Sequence, residues 1–180
     1  MNKLSGVLFC ILLLGNGASA VEEPGDLSKP QPAPELVKVS DWINTKPVRL
    51  ADLKGRVVVV HFWTRGCINC AHNYPHYRKW TTAYKDKNVT ILGIHTPEFE
   101  GEKSADAIRK AMKEHHLTFP VAVDNEGANW SAWRNRYWPC VYVVDKKGIV
   151  KYRWEGELGE KGEAWVRERI DTLLADEKKD

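Results

Sequence analysis

Two cysteines separated by two residues, Cys67 and Cys70, are the side chains of this sequence best suited to chemistry. Only a thiolate attacks a disulfide, and a free cysteine with a pKa near about 8.5 is mostly protonated at neutral pH. The pair follows a nearly continuous apolar, β-branched run, Val57–Trp63, and opens a stretch expected to be helical over residues 67–85. A helix N-terminus presents unsatisfied N–H groups and a positive dipole end, both of which stabilise a negative sulfur. Cys67, in the first turn, is then the nucleophile, and Cys70, one turn later, the more buried resolving sulfur. Exchange would run through a mixed disulfide on Cys67 that Cys70 releases. Two plainer readings compete. One is an ordinary buried disulfide; the other is half of a zinc site, although a second Cys-x-x-Cys is missing.

Other residues offer weaker signals. His72 and His76 stand at i, i+4 on the same expected helix, a spacing that metals use and that a solvated helix face also produces. Eight tryptophans among 180 residues is a high count, and Trp130, Trp133 and Trp138 could line either a client-facing surface or the core.

The compartment follows from the N-terminus. Lys3, an apolar stretch at residues 7–14 and Ala18-Ser19-Ala20 make residues 1–20 read as a secretory signal peptide cleaved after Ala20. The apolar stretch is shorter than the roughly 20 residues a bilayer span needs. An extracytoplasmic, periplasm-like location is expected, and the formal charge falls from +3 to +2 when Lys3 leaves. Acids and bases are mixed along the chain, which argues against a nucleic-acid partner. Of four cysteines, Cys10 leaves with the signal, so Cys67, Cys70 and Cys140 remain, an odd number for an oxidising compartment.

Residues 21–35 carry Pro24, Pro30, Pro32 and Pro34 and read as a flexible linker. Residues 36–180 then form one domain of ordinary size. Trp42-Ile43 and Val48-Arg49-Leu50 flank the turn-rich Asn44-Thr45-Lys46-Pro47 and suggest an N-terminal β-hairpin. Val57–Trp63 reads as a strand buried on both faces, and Val89–His95 as a second one. Ser104 is a fitting N-cap for a helix over residues 104–115. A short strand at 119–123, a short helix at 129–136, strands at 141–144 and 149–154, and an amphipathic helix at 163–174 complete the order. That order describes an α/β domain, a mixed central sheet flanked by helices.

Phe62-Trp63-Thr64-Arg65-Gly66-Cys67-Ile68-Asn69-Cys70 resembles the active-site segment of the thioredoxin superfamily, and Trp138-Pro139 before Val141-Tyr142-Val143-Val144-Asp145 resembles its cis-proline strand. With Leu53-Lys54-Gly55, His95-Thr96-Pro97-Glu98-Phe99 and Asp124-Asn125, the pattern is similar to TlpA-like proteins and the periplasmic domain of DipZ-like ones. The resemblance implies a thioredoxin-like fold and an extracytoplasmic thiol–disulfide oxidoreductase acting on protein clients. It implies re-reduction by a membrane electron donor of the DsbD or CcdA type, and no cofactor. Pro139 would be the cis-proline beside the disulfide, with Trp63 and Trp138 contacting the client. Glu98 looks like a family loop residue that could border the site. A reductive direction is expected, because Ile68-Asn69 lacks the histidine of strongly oxidising relatives.

Two positions depart from the family. His61 stands where thioredoxins commonly hold a buried acid. A buried imidazole stays neutral and could accept the Cys70 proton, or it is a core histidine bonded to a backbone carbonyl. Cys140, directly after Pro139, would lie beside the dithiol. It could be a small buried hydrophobe, a third redox thiol, or the third ligand with Cys67 and Cys70 of a soft metal such as Cu(I). The last makes a copper-binding chaperone the alternative function.

Overall fold

A computed structural model describes residues 26–176. Seven strands, β1 (Asp26–Pro32), β2 (Asp41–Ile43), β3 (Val57–Trp63), β4 (Val89–His95), β5 (Val121–Val123), β6 (Cys140–Val144) and β7 (Ile149–Glu155), form one sheet in the order β1-β7-β6-β3-β4-β5-β2. Its centre is β3, parallel to β4 and antiparallel to β6. β5 extends the parallel part beyond β4, while β7 pairs antiparallel with β6. Every residue of β3 is buried, as a strand covered on both faces requires.

Alternation along β3 divides the core in two. Val57, Val59 and Trp63 face α1 (Ile68–Ala83) and α4 (Gly159–Ala175), and pack with Tyr74, Tyr77, Trp80, Val166 and Ile170. Val58, Val60 and Phe62 face the other way, toward Trp130 and Trp133 around α3 (Ala128–Ala132) and toward Leu36, Leu50 and Leu53. Burying a side chain such as Phe62 contributes about 1.5–3 kcal/mol, so this second layer is a substantial part of the fold. α2 (Ala105–Glu114) starts where Ser104 Oγ accepts the Ala107 amide at 3.3 Å, the cap expected from the sequence. Buried Asn73 joins α1 to α4: its Oδ1 accepts the Leu158 amide at 2.8 Å.

Two N-terminal expectations are corrected. The Pro-rich stretch at residues 21–35 is not a linker throughout, because Asp26–Pro32 forms β1, an edge strand antiparallel to β7. Pro30 and Pro32 are tolerated there because an edge strand does not need all of its N–H groups. The expected hairpin does not form either. β2 (Asp41–Ile43) pairs instead with β5 at the opposite edge of the sheet. Asn44 turns the chain away with φ +60°, its Nδ2 donating to the carbonyls of Leu117 (3.3 Å) and Phe119 (3.2 Å). Residues Leu50–Leu53 are then a 3₁₀ turn rather than a returning strand. The short helix also stops early, at Ala132, and the chain leaves it through Arg134 in the left-handed region, φ +51°. The expected signal peptide, residues 1–20, lies outside the described residues.

Candidate redox site

Thr64 leaves the end of β3 still buried, Arg65 and Gly66 emerge at the surface, and Cys67 becomes the N-cap of α1. Cys67 has extended backbone (φ −85°, ψ 112°) and its sulfur accepts the Cys70 amide at 3.1 Å. That amide is one of the first-turn donors with no partner inside the helix. Cys67 is half-buried and Cys70 fully buried, so an approaching molecule meets Cys67 first. The two are joined as a disulfide with Cα atoms 5.2 Å apart.

A polar shelf supports the Thr64–Gly66 segment from β4 and the loop after it. His95, paired in register with Trp63, is buried, and its Nε2 accepts the Arg65 amide at 3.2 Å. Nε2 is therefore unprotonated, and the neutral ring carries its hydrogen on Nδ1. Burial holds the His95 pKa down, to about 4, against the opposing pull of the Glu102 charge. Thr64 Oγ1 lies 3.3 Å from His95 Nε2 and donates to Glu102 Oε2 at 2.7 Å. The same oxygen accepts the amides of Glu98 (2.8 Å) and Phe99 (3.4 Å). Burial works to raise the Glu102 pKa, but the Thr64 hydroxyl, the two amides and His95 outweigh it, and the carboxyl is held below its usual range. Glu98 itself is exposed, and only its amide joins this network.

The Trp138–Pro139 peptide is cis, and Pro139 is buried. Trp138 is half-buried, stacks on Trp130 with centroids 4.0 Å apart, and donates Nε1–H to the Thr96 carbonyl at 3.1 Å. Asp124, buried at the end of β5, organises that wall. Its carboxylate accepts the Thr96 hydroxyl (3.0 Å), the Asn129 amide and side chain (both 3.0 Å) and the Trp130 amide (2.9 Å).

Two expected site residues stand elsewhere. Trp63 is completely buried, edge-on to Tyr74 and His95, so it cannot touch a client; it is a core tryptophan of the dithiol face. Cys140 does not lie beside the dithiol. It pairs with Phe62 in register and packs with Phe62, Trp133 and Tyr142, whereas Cys70 belongs to the cluster on the opposite face. A third redox thiol and a Cys67–Cys70–Cys140 metal site are excluded by that geometry. Among the described residues, no group of three or more His, Cys, Asp or Glu side chains is placed to hold a metal. Burial pushes the Cys140 thiol up to about 12, which suits a small hydrophobe. His72 pairs with Glu157 at 2.9 Å on the helix surface.

His61 faces α1, its ring stacked 4.0 Å from that of Tyr77 and edge-on to Phe119 at 4.6 Å. It is fully buried, neither ring nitrogen has a hydrogen-bond partner, and burial pushes its pKa down to about 3. The expected backbone carbonyl partner is therefore not there. Sequence reasoning missed Glu102, and gave Thr64 and Asp124 no role beyond the motifs that contain them. A lone carboxylate in a loop has no spacing signature, and only the Glu98 neighbourhood marked that loop as part of the site.

Comparison with known proteins agrees with this geometry. Residues 30–153 match the model of the AhpC/TSA family. Protein DipZ of Mycobacterium tuberculosis is 39% identical over 145 residues, covering 79% of this chain and 20% of DipZ. The chain thus spans about a fifth of that relative's length. Thiol-disulfide oxidoreductase YkuV of Bacillus subtilis is 29% identical over 146 residues, 81% of this chain and 96% of YkuV. A thioredoxin-like protein solved in its oxidised form superimposes with a TM-score of 0.72 at 29% identity, covering 81% of this chain and 96% of that one. The mixed sheet, the helix-capping dithiol and the cis-proline strand are thus those of a thioredoxin-like fold, and this chain belongs to the AhpC/TSA family.

Proposed function

We propose that this chain is an extracytoplasmic thiol–disulfide oxidoreductase that reduces protein disulfides through Cys67 and Cys70. The observation that carries it is the Cys67 sulfur, half-exposed at the N-cap of α1 and accepting the Cys70 amide at 3.1 Å. In the reduced protein that amide and the helix dipole favour the thiolate. The Cys67 thiolate attacks one sulfur of a client disulfide, forming a mixed disulfide and expelling the other client sulfur as a thiolate. Cys70 loses its proton and attacks Cys67 Sγ, which closes the Cys67–Cys70 bond and frees the second client sulfur. The client gains two electrons and two protons, and the protein returns to the disulfide form. The Cys70 proton passes to the client thiolate expelled in the first step; His61, whose pKa burial holds down to about 3, is too weak a base to keep it.

Pro139 and Trp138 form the proposed client edge, together with exposed Ile68 beside the nucleophile. The names of YkuV and ResA as thiol-disulfide oxidoreductases support the reaction class. Match to DipZ supports a membrane electron donor of the DsbD or CcdA type, and the signal-like residues 1–20 support export. Insulin reduction driven by dithiothreitol is the test. Wild type accelerates it, Cys67→Ser abolishes the acceleration, and Cys70→Ser accumulates a mixed disulfide on Cys67. A Cys67→Ser protein as active as wild type would overturn the proposal.

A further inference from the structure

We propose that Glu102 is a positioning residue whose fixed carboxylate, lodged against Gly66 next to Cys67, opposes the Cys67 thiolate and thereby makes the dithiol more strongly reducing. The inference rests on the thiol–disulfide reading above and adds the device that sets its direction. A Cβ built on Gly66 would overlap Glu102 Oε1, so the carboxylate fills the space where any other side chain would begin. Glycine is needed at this position for that close approach. The three hydrogen bonds from Thr64, Glu98 and Phe99 all go to Oε2, which fixes the group and leaves Oε1 turned toward Gly66.

The surrounding groups leave this charge standing. His95 on β4 is neutral, because burial keeps its pKa near about 4. Tyr74 on α1 is held in its phenol form, by burial first and the Glu102 charge second. The Arg65 guanidinium keeps its charge but is exposed to solvent and turned to the Gly101 carbonyl, and Lys103 pairs with Glu100. Thr64 carries no charge. Two opposed fields therefore act on Cys67: the helix N-terminus favours the thiolate, and the Glu102 carboxylate disfavours it. The disulfide carries no charge and does not feel the repulsion. Only the reduced form is destabilised, and a destabilised dithiol is a better electron donor.

The test is Glu102→Gln, which keeps an acceptor for Thr64 and removes the charge, with Glu102→Asp as the charge-retaining control. Two quantities are read against pH: the alkylation rate of Cys67 in the reduced protein, and the dithiol–disulfide equilibrium in glutathione buffers. Removing the charge should make Cys67 about tenfold more acidic. Above its pKa the equilibrium should move about tenfold toward the dithiol, about 30 mV for a two-electron couple, and the gap should close at low pH where both proteins hold a neutral thiol. Glu102→Asp should stay near wild type. An unchanged Cys67 acidity in Glu102→Gln, or an equilibrium change that does not vary with pH, would overturn the inference.

Wild type supplies an independent reading should the glutamine variant not fold. The carboxyl ¹³C resonance of Glu102 should shift as Cys67 ionises in the reduced protein and stay still in the oxidised one, and a reduced-state resonance blind to Cys67 overturns the proposal. Failure of the two ideas is distinguishable. A reactive Cys67 indifferent to Glu102 removes this inference alone, whereas a Cys67 of ordinary thiol reactivity in both proteins removes the thiol–disulfide reading with it.

Discussion

His61→Leu exchanges a ring that the fold must keep uncharged for a side chain that never titrates. In the folded protein burial holds the His61 pKa at about 3, against 6.5 when exposed. Between those values the unfolded chain binds a proton that the folded chain refuses, so stability is full above pH 6.5 and declines as the pH falls toward 3. At pH 5 an exposed histidine is almost wholly protonated and His61 almost wholly neutral. The difference costs the wild type about 2 kcal/mol relative to pH 7.5. His95 is subject to a similar loss, but it is present in both proteins and cancels in the comparison. Urea unfolding of the oxidised forms at pH 7.5 and 5.0 measures the effect. Wild type should lose about 2 kcal/mol more than His61→Leu on acidification. Equal losses in the two proteins would refute the claim that His61 is a desolvated, unpartnered imidazole.

Asp124→Ala strips an acceptor from the Thr96 hydroxyl, the Asn129 amide and side chain, and the Trp130 amide, all at 2.9–3.0 Å. Urea unfolding should show a loss of about 3–5 kcal/mol, and near-UV circular dichroism should report a loosened Trp130–Trp138 stack. Cys140→Ala, on the face away from the dithiol, should keep insulin reduction within about twofold while costing about 1–2 kcal/mol for the small cavity. In the native oxidised protein Cys140 should resist alkylation until denaturant is added.

What was legible in the sequence was whatever is written locally. The β-branched run of β3, the dithiol at a strand–helix junction and the Ser104 cap each depend on a few neighbouring residues, and each stands where its pattern places it. Features decided by distant pairing were not legible. Cys140 faces away from the dithiol because it sits opposite Phe62, whereas Val141 sits opposite His61; one residue of register decides which face a side chain joins. Trp42 and Ile43 join β5, some eighty positions along the chain, rather than their neighbours across a turn. The proline-rich stretch becomes an edge strand because β7 offers it an open partner, a circumstance absent from its own composition. Glu102 joins the site through Thr64, thirty-eight positions away, and Gly66 is small because Glu102 is there.

The pH dependence of Cys67 alkylation in the reduced, folded Cys70→Ser protein bears most directly on the whole account. A sulfur capping the first turn of α1 should ionise below about 8.5, the value of a free thiol, even with the Glu102 carboxylate opposing it, and unfolding in urea should return it there. An inflection at or above the free-thiol value in the folded protein, unchanged by unfolding, would contradict the account.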